Sequence, residues 1–375
     1  MWSKPERLKA LADRVEAGDN DVFLITSAAN ITYFTGIPSP IGSVLIAVPG
    51  SDEYYLLTNI LEYYRLLDQG PRWAKVASFY RARDEAVNPD DVEVVGEDLA
   101  SSIRNITSKY RGRLLCDLGG LSCTLAREFE KHCTGTLAEA IETLRAVKRP
   151  EEVETIEEAI HIAEKAFLDI VEEVKTGNTE LSIAGRLKYA INKYGGTGEA
   201  FPTIVAFSDH AAHPHAVPST RRLEHKDLIL VDWGAVYNNY NSDMTRSFFL
   251  TANVPREYVG YVEVVEEAVE AAIDTVEPGV KASYVDSAAR KVLEKHGLGR
   301  KFIHGLGHGV GVEVHEKPYI RPGSNTMLEP GMIFTIEPGV YIRGKIGVRI
   351  EDMVIVTNRG ARVLTTLPRK IELRR

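Results

Sequence analysis

The chain has 375 residues, which is more than one average domain and predicts two. Its net charge is -8 and its Lys and Arg residues are scattered, so nucleic acid is not expected as the main partner. No run of about 18 apolar residues occurs that would cross a membrane, and the charged N-terminal segment lacks the apolar stretch of a secretory signal. The three cysteines, an odd and sparse set without a CxxC pair, fit a reducing cytoplasm better than a disulfide framework. We therefore expect a cytoplasmic protein with neither nucleic acid nor a membrane as its partner.

The first part of the sequence alternates helical and strand-like segments. The apolar spacing predicts a helix over 3–17 and then three strands in DVFLIT, SVLIAVPG and EYYLLT, which Gly, Pro and Asn signals bound. Farther along, NPDDVEVVGEDLASSIRNITSKYRG turns helical towards its end, and RLLCDLGG is expected to form a strand before another helix. This alternation indicates an α/β domain that ends between residues 135 and 145.

A strong helix start signal opens the second part of the chain. Pro150 suits the first helical turn, acidic and then periodic apolar residues follow it, and Gly177 is placed to end the helix. Further helices are predicted over 179–194, 257–276 and 283–296. Extended segments lie between and after them, namely DLILVDWGAV, SDMTRSFFL, MIFTIEPGVYI and VRIEDMVIVT. The second domain is therefore predicted to be α+β with antiparallel hairpins.

Two aspartates face each other in the hairpin predicted for LILVDWGAVYNNYNSDMTRSFFL. Apolar strands flank its polar centre, YNNYN, which favours a turn. Asp232 and Asp243 are equidistant from a centre between Tyr237 and Asn238, so a symmetric hairpin places them opposite each other. Like charges across a sheet are unfavourable, and so is an unpaired carboxylate among apolar residues. A cation between the two carboxylates would remove both costs.

A second hairpin with the same property is predicted in TIEPGVYIRGKIGVRIED. Glu337 and Glu351 are symmetric about Gly344 there. One such pair can arise from a chance register, but two hairpins that each bring two carboxylates into an apolar sheet form an uncommon pattern. The four carboxylates together therefore indicate a cation site.

Three histidines lie close together before the second hairpin, in the glycine-rich segment HGLGHGVGVEVHE. They are His304, His308 and His315, and the glycines permit tight backbone paths around them. Imidazole together with several carboxylates suits Mn, Co, Zn or Fe, and contains too much nitrogen for a typical Ca site. A phosphate cradle is the competing interpretation of the glycines, but the segment lacks the GxxxxGK-Ser/Thr pattern.

The segments VDWGA, NSDMTR, HGLGHGVG, TIEPGVY and VRIED resemble the prolidase and aminopeptidase P family, whose catalytic domain has the pita-bread fold. The order Asp, Asp, His, Glu, Glu with successive spacings of 11, 65, 29 and 14 residues is a highly specific signature. The resemblance covers about 144–370 and reaches into the first domain at NITYFTG. It implies an α/β N-terminal domain of the creatinase/prolidase type over 1–143, and an α+β pita-bread metallopeptidase domain with an antiparallel sheet over 144–375.

Carried over position by position, the resemblance implies a pair of divalent metal ions in each chain. Asp232 would chelate one ion and Asp243 would bridge both. His308 and Glu337 would hold the second ion, and Glu351 would also bridge. Mn or Co is the expected metal, and Zn is a further possibility.

Four more positions match residues that have a role in the family. His215, in AHPHAVPS, corresponds to a histidine on the flap before the first aspartate, and His315, in VEVHEKP, to the histidine seven residues after the metal histidine. Arg349 matches a family arginine, and Phe201 an aromatic residue of the substrate pocket. The resemblance implies that the two histidines are catalytic and that Arg349 and Phe201 bind substrate. The alternatives left open are that His215 is a loop histidine and that His315 is a structural neighbour of the site. Likewise, Arg349 could be a partner of the carboxylates, and Phe201 could be a core side chain.

The sequence departs from the family pattern around His215. Ala216 stands where the family often has Gly, and His210 and His213 complete an H-x-x-H-x-H spacing. That spacing could mimic a separate metal site, an interpretation that we do not favour. These departures concern the substrate rather than the metal ligands.

The resemblance implies metal-dependent hydrolysis of the peptide bond that precedes proline, in Xaa-Pro dipeptides, by a hydroxide that bridges the metals. His215 or His315 would stabilise the negative charge that develops on the oxygen of the attacked carbonyl. Glu337 would carry a proton from water to the leaving nitrogen. Two alternatives stay open: an Xaa-Pro aminopeptidase that acts on longer peptides, and an amidohydrolase of the same fold that acts on a non-peptide C–N bond. A binding module derived from a peptidase would have lost metal ligands, and none is lost here.

The expected partners are a small peptide substrate and a second copy of the chain. N-terminal domains of related enzymes reach towards the partner's active site, which implies a homodimer. The loop TGIPSPIG, with Gly36, Pro38 and Pro40, is the candidate lid.

Overall fold

The structure is a computed structural model that describes residues 5–38, 42–79, 92–251 and 254–371. The chain divides into two compact units, Met1–Leu144 and Arg145–Arg375. The candidate lid loop lies partly outside the described residues. The same holds for the start of the helix predicted over 3–17 and for the N-terminal end of the NPDDVEVV segment.

The first unit is built on a mixed β-sheet. Its strands are β1 Val22–Ile25, β2 Val44–Val48, β3 Glu53–Asn59, β4 Lys75–Phe79, β5 Val94–Gly96, β6 Leu114–Asp117 and β7 Gly135–Thr136. Within the described residues they follow the order β5-β4-β3-β2-β1-β6-β7, with β2 antiparallel to β1 and β3 and the other pairs parallel. The helices are α1 Glu6–Arg14, α2 Ala28–Thr35, α3 Ile60–Gln69, α4 Leu99–Thr107, α5 Cys123–Glu130 and α6 Ala138–Ala146. The boundary between the two units falls within α6.

The strands of this sheet form where apolar residues run without interruption. Every residue of β1 and β2 is buried, as expected for strands that are covered on both faces. The predicted strands DVFLIT, SVLIAVPG and EYYLLT correspond to β1, β2 and β3 and are confirmed. The helix predicted near the end of the next segment is α4, which begins with a capping box between Asp98 and Ser101. The α/β class predicted for this part of the chain is confirmed.

Two of the three cysteines form a disulfide in this unit. Cys116 lies in β6 and Cys133 follows α5, and their sulfur atoms are bonded, whereas Cys123 is free and exposed. Parallel pairing of β6 with β7, which puts Leu115 opposite Gly135, brings the two segments side by side. The expectation of a chain without disulfides is therefore wrong for this pair. The two cysteines are 17 residues apart in the sequence. This spacing does not reveal that they pair, because the contact is made only in the tertiary structure.

The second unit contains long helices at the predicted positions. They are α7 Pro150–Val171, α8 Glu180–Lys193, α9 Arg256–Ile273 and α10 Ala282–Lys295. Pro150 opens α7 as predicted, but α7 ends at Val171 rather than at Gly177. The predicted end is wrong because the N–H of Gly177 donates to the carbonyl of Leu223 and not to the helix. None of the helices in the described ranges combines the length and the apolar character needed to cross a membrane.

The strands of the second unit pair antiparallel. They are β8 Gly198–Glu199, β9 Ile204–Phe207, β10 Leu228–Trp233, β11 Ala235–Tyr237, β12 Tyr240–Asn241, β13 Met244–Phe249, β14 Gly307–Gly309, β15 Glu316–Ile320, β16 Ile333–Ile336, β17 Gly339–Ile342, β18 Ile346–Arg349, β19 Asp352–Thr357 and β20 Gly360–Val363. Among the residues that the structure describes, the sheets have the orders β13-β10-β9, β12-β11-β8, β15-β14-β16-β19-β20 and β17-β18. Their pairs are antiparallel, which confirms the α+β class with antiparallel hairpins.

The alternation of side chains along β10 separates two hydrophobic cores. One core packs with α7 and α8 and contains Ile229, Val231 and Trp233. The other packs with α9 and α10 and contains Leu228 and Leu230. Asp232 is an even number of residues from Leu228 and Leu230. Its side chain therefore lies on the same face of β10 as theirs, which points away from α7 and α8.

Candidate metal centre

The first predicted hairpin is present, but its register differs from the prediction. β10 pairs with β13 so that Asp232 lies opposite Thr245, and Asp243 directly precedes β13. The connecting strands β11 and β12 turn at Asn238 and Asn239, which both have positive φ. Because this turn is centred one residue later than predicted, the partner of Asp232 moves by two residues. The direct opposition of the two aspartates is therefore wrong, and their carboxylates are diagonal neighbours that repel each other.

The second predicted hairpin is confirmed in its register. β17 and β18 pair symmetrically about Gly344, which has a φ of 71°. The same register continues into β16 and β19. Glu337 and Glu351 therefore occupy opposite positions of one long hairpin, as predicted, while their role as metal ligands stays a prediction.

His308 lies in β14 between two glycines and points at the carboxylates. Its Nε2 is 3.3 Å from Glu337 Oε1 and 3.7 Å from Asp243 Oδ2. A Cβ at Gly307 would meet a backbone oxygen of β16 at 1.9 Å, and a Cβ at Gly309 would meet one of β15 at 2.1 Å. The two glycines therefore let β14 approach both neighbouring strands, which places the imidazole against the carboxylates.

The candidate ligands converge on one place. The ligand atoms of Asp243, His308 and Glu351 all lie within 4.8 Å of one another. Asp232 lines the same cavity, and its Oδ1 is buried without a hydrogen-bond partner among the described residues. Because a buried polar atom of this kind normally has a partner, it fits a bound cation. Carboxylate oxygens with one imidazole suit Mn, Co or Zn, so the residues present fit the predicted metals.

The carboxylates of this cluster repel one another. Burial raises the pKa of Asp243 and of Glu351 well above the usual range, and neighbouring carboxylates raise both further. Burial also raises the pKa of Asp232, although a neighbouring guanidinium opposes it. Burial acts in the same direction on Glu337, but the hydrogen bond with His308 and the charges of His308, His304 and Arg349 together outweigh it and lower the pKa of Glu337. The positive charge of a metal ion would offset this repulsion.

Arg349 is held by several side chains of the site. Its Nη2 donates to Asp232 Oδ2 at 2.5 Å, its Nη1 to Tyr341 Oη at 2.8 Å and its Nε to Thr245 Oγ1 at 3.0 Å. The hydroxyl of Thr245 in turn donates to Glu351 Oε2 at 2.8 Å. These contacts match the alternative in which Arg349 is a partner of the carboxylates, and its part in substrate binding stays a prediction.

Sequence reasoning missed Thr245 and Tyr341. Thr245 lies two residues after Asp243, and Tyr341 lies four residues after Glu337, so each stands at an even spacing from an acidic candidate. Tyr341 Oη also lies 2.9 Å from Nε2 of His304. A polar side chain at even spacing from a candidate ligand is the signal that could have identified both.

The resemblance assigns nine residues to metal binding, catalysis or substrate binding, and all nine line one cavity of about 900 Å³. They are Phe201, His215, Asp232, Asp243, His308, His315, Glu337, Arg349 and Glu351. His215 and His315 are exposed there, and the ring centroids of His308 and His315 are 4.2 Å apart. Partial desolvation of its ring inside the cavity and the neighbouring His308 lower the pKa of His315, which favours the neutral imidazole. Phe201 is half-buried and lies at the cavity beside Pro202 rather than in the core.

The three histidines of the H-x-x-H-x-H spacing have different neighbours. His213 and His215 line the cavity. His210 instead lies with its Nδ1 2.8 and 2.9 Å from the two carboxylate oxygens of Glu180. The structure therefore gives this histidine a carboxylate partner outside the cavity lining.

Comparison with known proteins identifies the two parts of the chain. The sequence model of metallopeptidase family M24 matches residues 154–358, and that of the creatinase/prolidase N-terminal domain matches residues 7–147. The Xaa-Pro dipeptidase of Pyrococcus furiosus is 36% identical over 367 residues, which cover 98% of this chain and 99% of the relative.

Solved structures have the same fold over nearly the whole chain. The prolidase of Pyrococcus horikoshii has a TM-score of 0.84 at 30% identity and covers 98% of this chain and 99% of its own. The X-Pro aminopeptidase of Thermotoga maritima has a TM-score of 0.82 at 31% identity, with coverages of 96% and 99%. The family resemblance and the pita-bread fold predicted from the sequence are therefore confirmed. Since the catalytic-domain match spans more than half of the 375 residues, the chain belongs to metallopeptidase family M24.

Proposed function

We propose that this chain is an Xaa-Pro dipeptidase, which hydrolyses the peptide bond before proline in Xaa-Pro dipeptides. The observation that carries the proposal is the gathering of all nine candidate residues around one cavity. Similarity over the full length to the Xaa-Pro dipeptidase of Pyrococcus furiosus supports it from outside the chain.

Two divalent metal ions per chain are part of the proposal. The residues that would hold them are Asp232, Asp243, His308, Glu337 and Glu351, with Mn or Co as the expected metal and Zn as a third candidate. When bound, such a pair acts as a Lewis acid and makes hydroxide available near neutral pH. The buried Oδ1 of Asp232 supports this assignment, because no described residue offers it a hydrogen bond.

Side chains of the chain itself would supply the other functions of the site. His215 and His315 are exposed at the cavity and can donate a hydrogen bond to the substrate carbonyl oxygen as it becomes negative. Glu337 would take a proton from the attacking water and pass it to the leaving nitrogen. Asp232 would hold the free amino group of the substrate, which requires an acidic partner.

Selectivity for proline follows from the chemistry of the leaving nitrogen. In an Xaa-Pro bond this nitrogen carries no hydrogen, so a pocket without an acceptor leaves nothing unpaired. Phe201, Pro202 and Ile204 line the cavity and give apolar surface for the proline ring. An ordinary amide would leave its N–H unpaired at a cost of about 1–3 kcal/mol, which corresponds to roughly a five- to two-hundredfold preference in kcat/KM.

The test compares hydrolysis of Ala-Pro, Ala-Ala and N-acetyl-Ala-Pro by the metal-loaded enzyme. We expect kcat/KM for Ala-Pro to exceed that for Ala-Ala by roughly five- to two-hundredfold, and acetylation to abolish turnover. Equal rates for Ala-Pro and Ala-Ala would contradict the proposed preference for proline and indicate a general aminopeptidase. Equal rates after acetylation would remove the amine claim and favour an amidohydrolase.

A second candidate function is an Xaa-Pro aminopeptidase that acts on longer peptides. The similarity to the X-Pro aminopeptidase of Thermotoga maritima favours it. The tripeptide Ala-Pro-Ala distinguishes the two candidates. Turnover confined to Ala-Pro supports the dipeptidase, and comparable turnover of Ala-Pro-Ala supports the aminopeptidase.

We further propose that the protein is a homodimer. One face of α3 exposes Leu61, Tyr64 and Leu67, which are 89%, 43% and 54% accessible and lie three residues apart. An exposed apolar stripe of this kind is typical of a surface that another protein covers, and a second copy of the chain is the occupant that the family resemblance implies. The cytoplasmic location stays a prediction, and the disulfide of the first unit removes the support that the cysteine count gave it.

A further inference from the structure

A buried carboxylate that does not line the cavity holds the loop that carries His215. Glu180, the first residue of α8, is 0% exposed. Its Oε1 accepts the N–H of Phe207 at 3.0 Å. Its Oε2 accepts the N–H of Ser219 at 2.9 Å and the hydroxyl of Ser219 at 2.6 Å. Together with Nδ1 of His210, these donors surround both oxygens of the carboxylate.

The partners of Glu180 stand near both ends of the segment 208–219. Between these ends lie His213, His215 and Val217, which all line the cavity. His215 is exposed, so its own packing does not fix it and its position depends on the backbone. The carboxylate of Glu180 therefore fixes the distance between the two ends of the loop that carries His215.

The place of Glu180 at the start of α8 makes its buried charge tolerable. The N-terminus of a helix carries partial positive charge, and a capping box between Thr179 and Ser182 fixes this end of the 14-residue helix. Hydrogen bonds to an ionised acceptor are about twice as strong as neutral ones. Removal of the charge should therefore loosen the segment 208–219 while α8 itself stays folded.

We infer that Glu180 is a positioning residue for the reaction, because it fixes the segment 208–219 so that His215 faces the substrate carbonyl. The inference rests on the proposed function. It also accounts for His210 in the H-x-x-H-x-H spacing, as one of the groups that Glu180 binds. Glu180 acts through His215 rather than on the substrate.

A double-mutant cycle between Glu180 and His215 tests this inference. Glu180→Gln keeps the shape of the side chain but has one acceptor oxygen, so Phe207 and Ser219 cannot both keep their bonds. We expect kcat for Ala-Pro to fall about ten- to a hundredfold. KM should stay nearly unchanged, because His215 acts on charge that develops in the transition state. In the His215→Ala background, Glu180→Gln should lower kcat by less than about twofold.

Glu164→Gln is the matched control for Glu180→Gln. Glu164, on α7, is 4% exposed and accepts hydrogen bonds from the backbone and hydroxyl of Thr366 and from the backbone of Leu367. Because these partners do not line the cavity, we expect a loss of thermal stability with an unchanged kcat. Ser219→Ala removes a single donor and carries the same test if Glu180→Gln fails to fold. Its effect on kcat should likewise vanish in the His215→Ala background.

Equal losses of kcat from Glu180→Gln with and without His215 would overturn the inference, since the carboxylate would then act through general stability. A loss of the same size in Glu164→Gln would overturn it as well. A wild-type enzyme that is inactive on Ala-Pro would overturn the proposed function, and the inference with it, before any variant is compared.

Discussion

Asp243 occupies an unfavourable electrostatic position among the residues of the site. Burial raises its pKa well above the usual range, and the carboxylates of Glu351, Asp232 and Glu337 raise it further. An uncharged side chain at this position would avoid both the repulsion and the cost of a buried charge. A carboxylate that binds metal tolerates such a position, because the charge of the ion reverses the sign of the interaction.

Asp243→Asn should therefore abolish activity and leave the fold intact. The amide keeps the shape of the side chain but supplies no anionic oxygen to the metals. Loss of a partner outside the ligand sphere typically costs 10- to 100-fold in activity, so loss of a ligand should lower Ala-Pro turnover by more than about a hundredfold. Circular dichroism should be unchanged. Asp169→Asn, a change at a surface partner of Lys193, is the control and should keep wild-type turnover. Retained turnover in Asp243→Asn would mean that Asp243 is not a ligand.

The spacing of the candidate ligands could be predicted from the sequence, but their partners could not. Gly344 marks the centre of the second hairpin, so the opposition of Glu337 and Glu351 follows from counting. In the first hairpin, counting fails by one residue, because the chain turns at the two asparagines that accept positive φ. The contacts of Arg349 join segments that are far apart in sequence, and no local pattern encodes them.

At the scale of elements, β15 begins at a buried ion cluster. Glu316, its first residue, follows His315 directly and accepts from Arg145 Nη2 at 2.6 Å and from Lys148 Nζ at 2.9 Å. The side chains of Glu316, Arg145 and Lys148 are all at most 6% exposed. Burial acts to raise the pKa of Glu316, but Lys148 and Arg145 outweigh it, and the net effect is a lowered pKa. The cluster therefore anchors the strand next to His315 through charge.

Glu316→Gln should destabilise the second unit by about 3–5 kcal/mol near neutral pH, because the buried Lys148 would lose its carboxylate partner and Arg145 the buried one of its two. The pKa of Glu316 is lowered by folding, so its contribution is present above the ordinary glutamate value of about 4.3 and is lost as the pH falls below it. The variant should therefore lack that part of the acid sensitivity. Urea unfolding of the metal-free proteins at about pH 7 and about pH 4 measures both effects.

Glu313→Gln is the matched control for this cluster. Glu313 also pairs with Arg145, but its side chain is 52% exposed. We expect a change within about 1 kcal/mol, as is usual for an exposed ion pair. Equal destabilisation by both changes, or an unchanged pH dependence in Glu316→Gln, would show that the buried charge is not what anchors β15.

Helices with a clear apolar period could be predicted closely, whereas elements without one could not. α8 and α10 begin and end within one residue of the predicted ranges, because one face of each is buried. α2 escaped prediction, since six of its eight residues are buried and no amphipathic pattern remains. The Cys116–Cys133 bond escaped it as well, because the pairing of β6 with β7 is a tertiary feature.

At the scale of the whole molecule, all nine candidate residues belong to the second unit. The role that we propose for the first unit is to take part in the homodimer. The apolar face of α3 fits an assembly of this kind.

Light scattering should accordingly give a particle of twice the chain mass of 41.6 kDa. Leu61→Glu combined with Leu67→Glu places two charges on the exposed face of α3 and should shift the mass to that of one chain. Glu62→Gln, on the same helix, is the control and should stay dimeric. A wild-type mass of one chain at working concentration would reject the homodimer.

Metal stoichiometry of the active enzyme is the most direct test of the dinuclear peptidase that we propose. The chelated protein is titrated with Mn or Co while bound metal and Ala-Pro turnover are followed together. We expect no turnover without metal and full turnover at two ions per chain, because five ligands with four carboxylates offer more donors than one ion needs. Full turnover at one ion per chain, or turnover that survives complete chelation, would contradict this prediction.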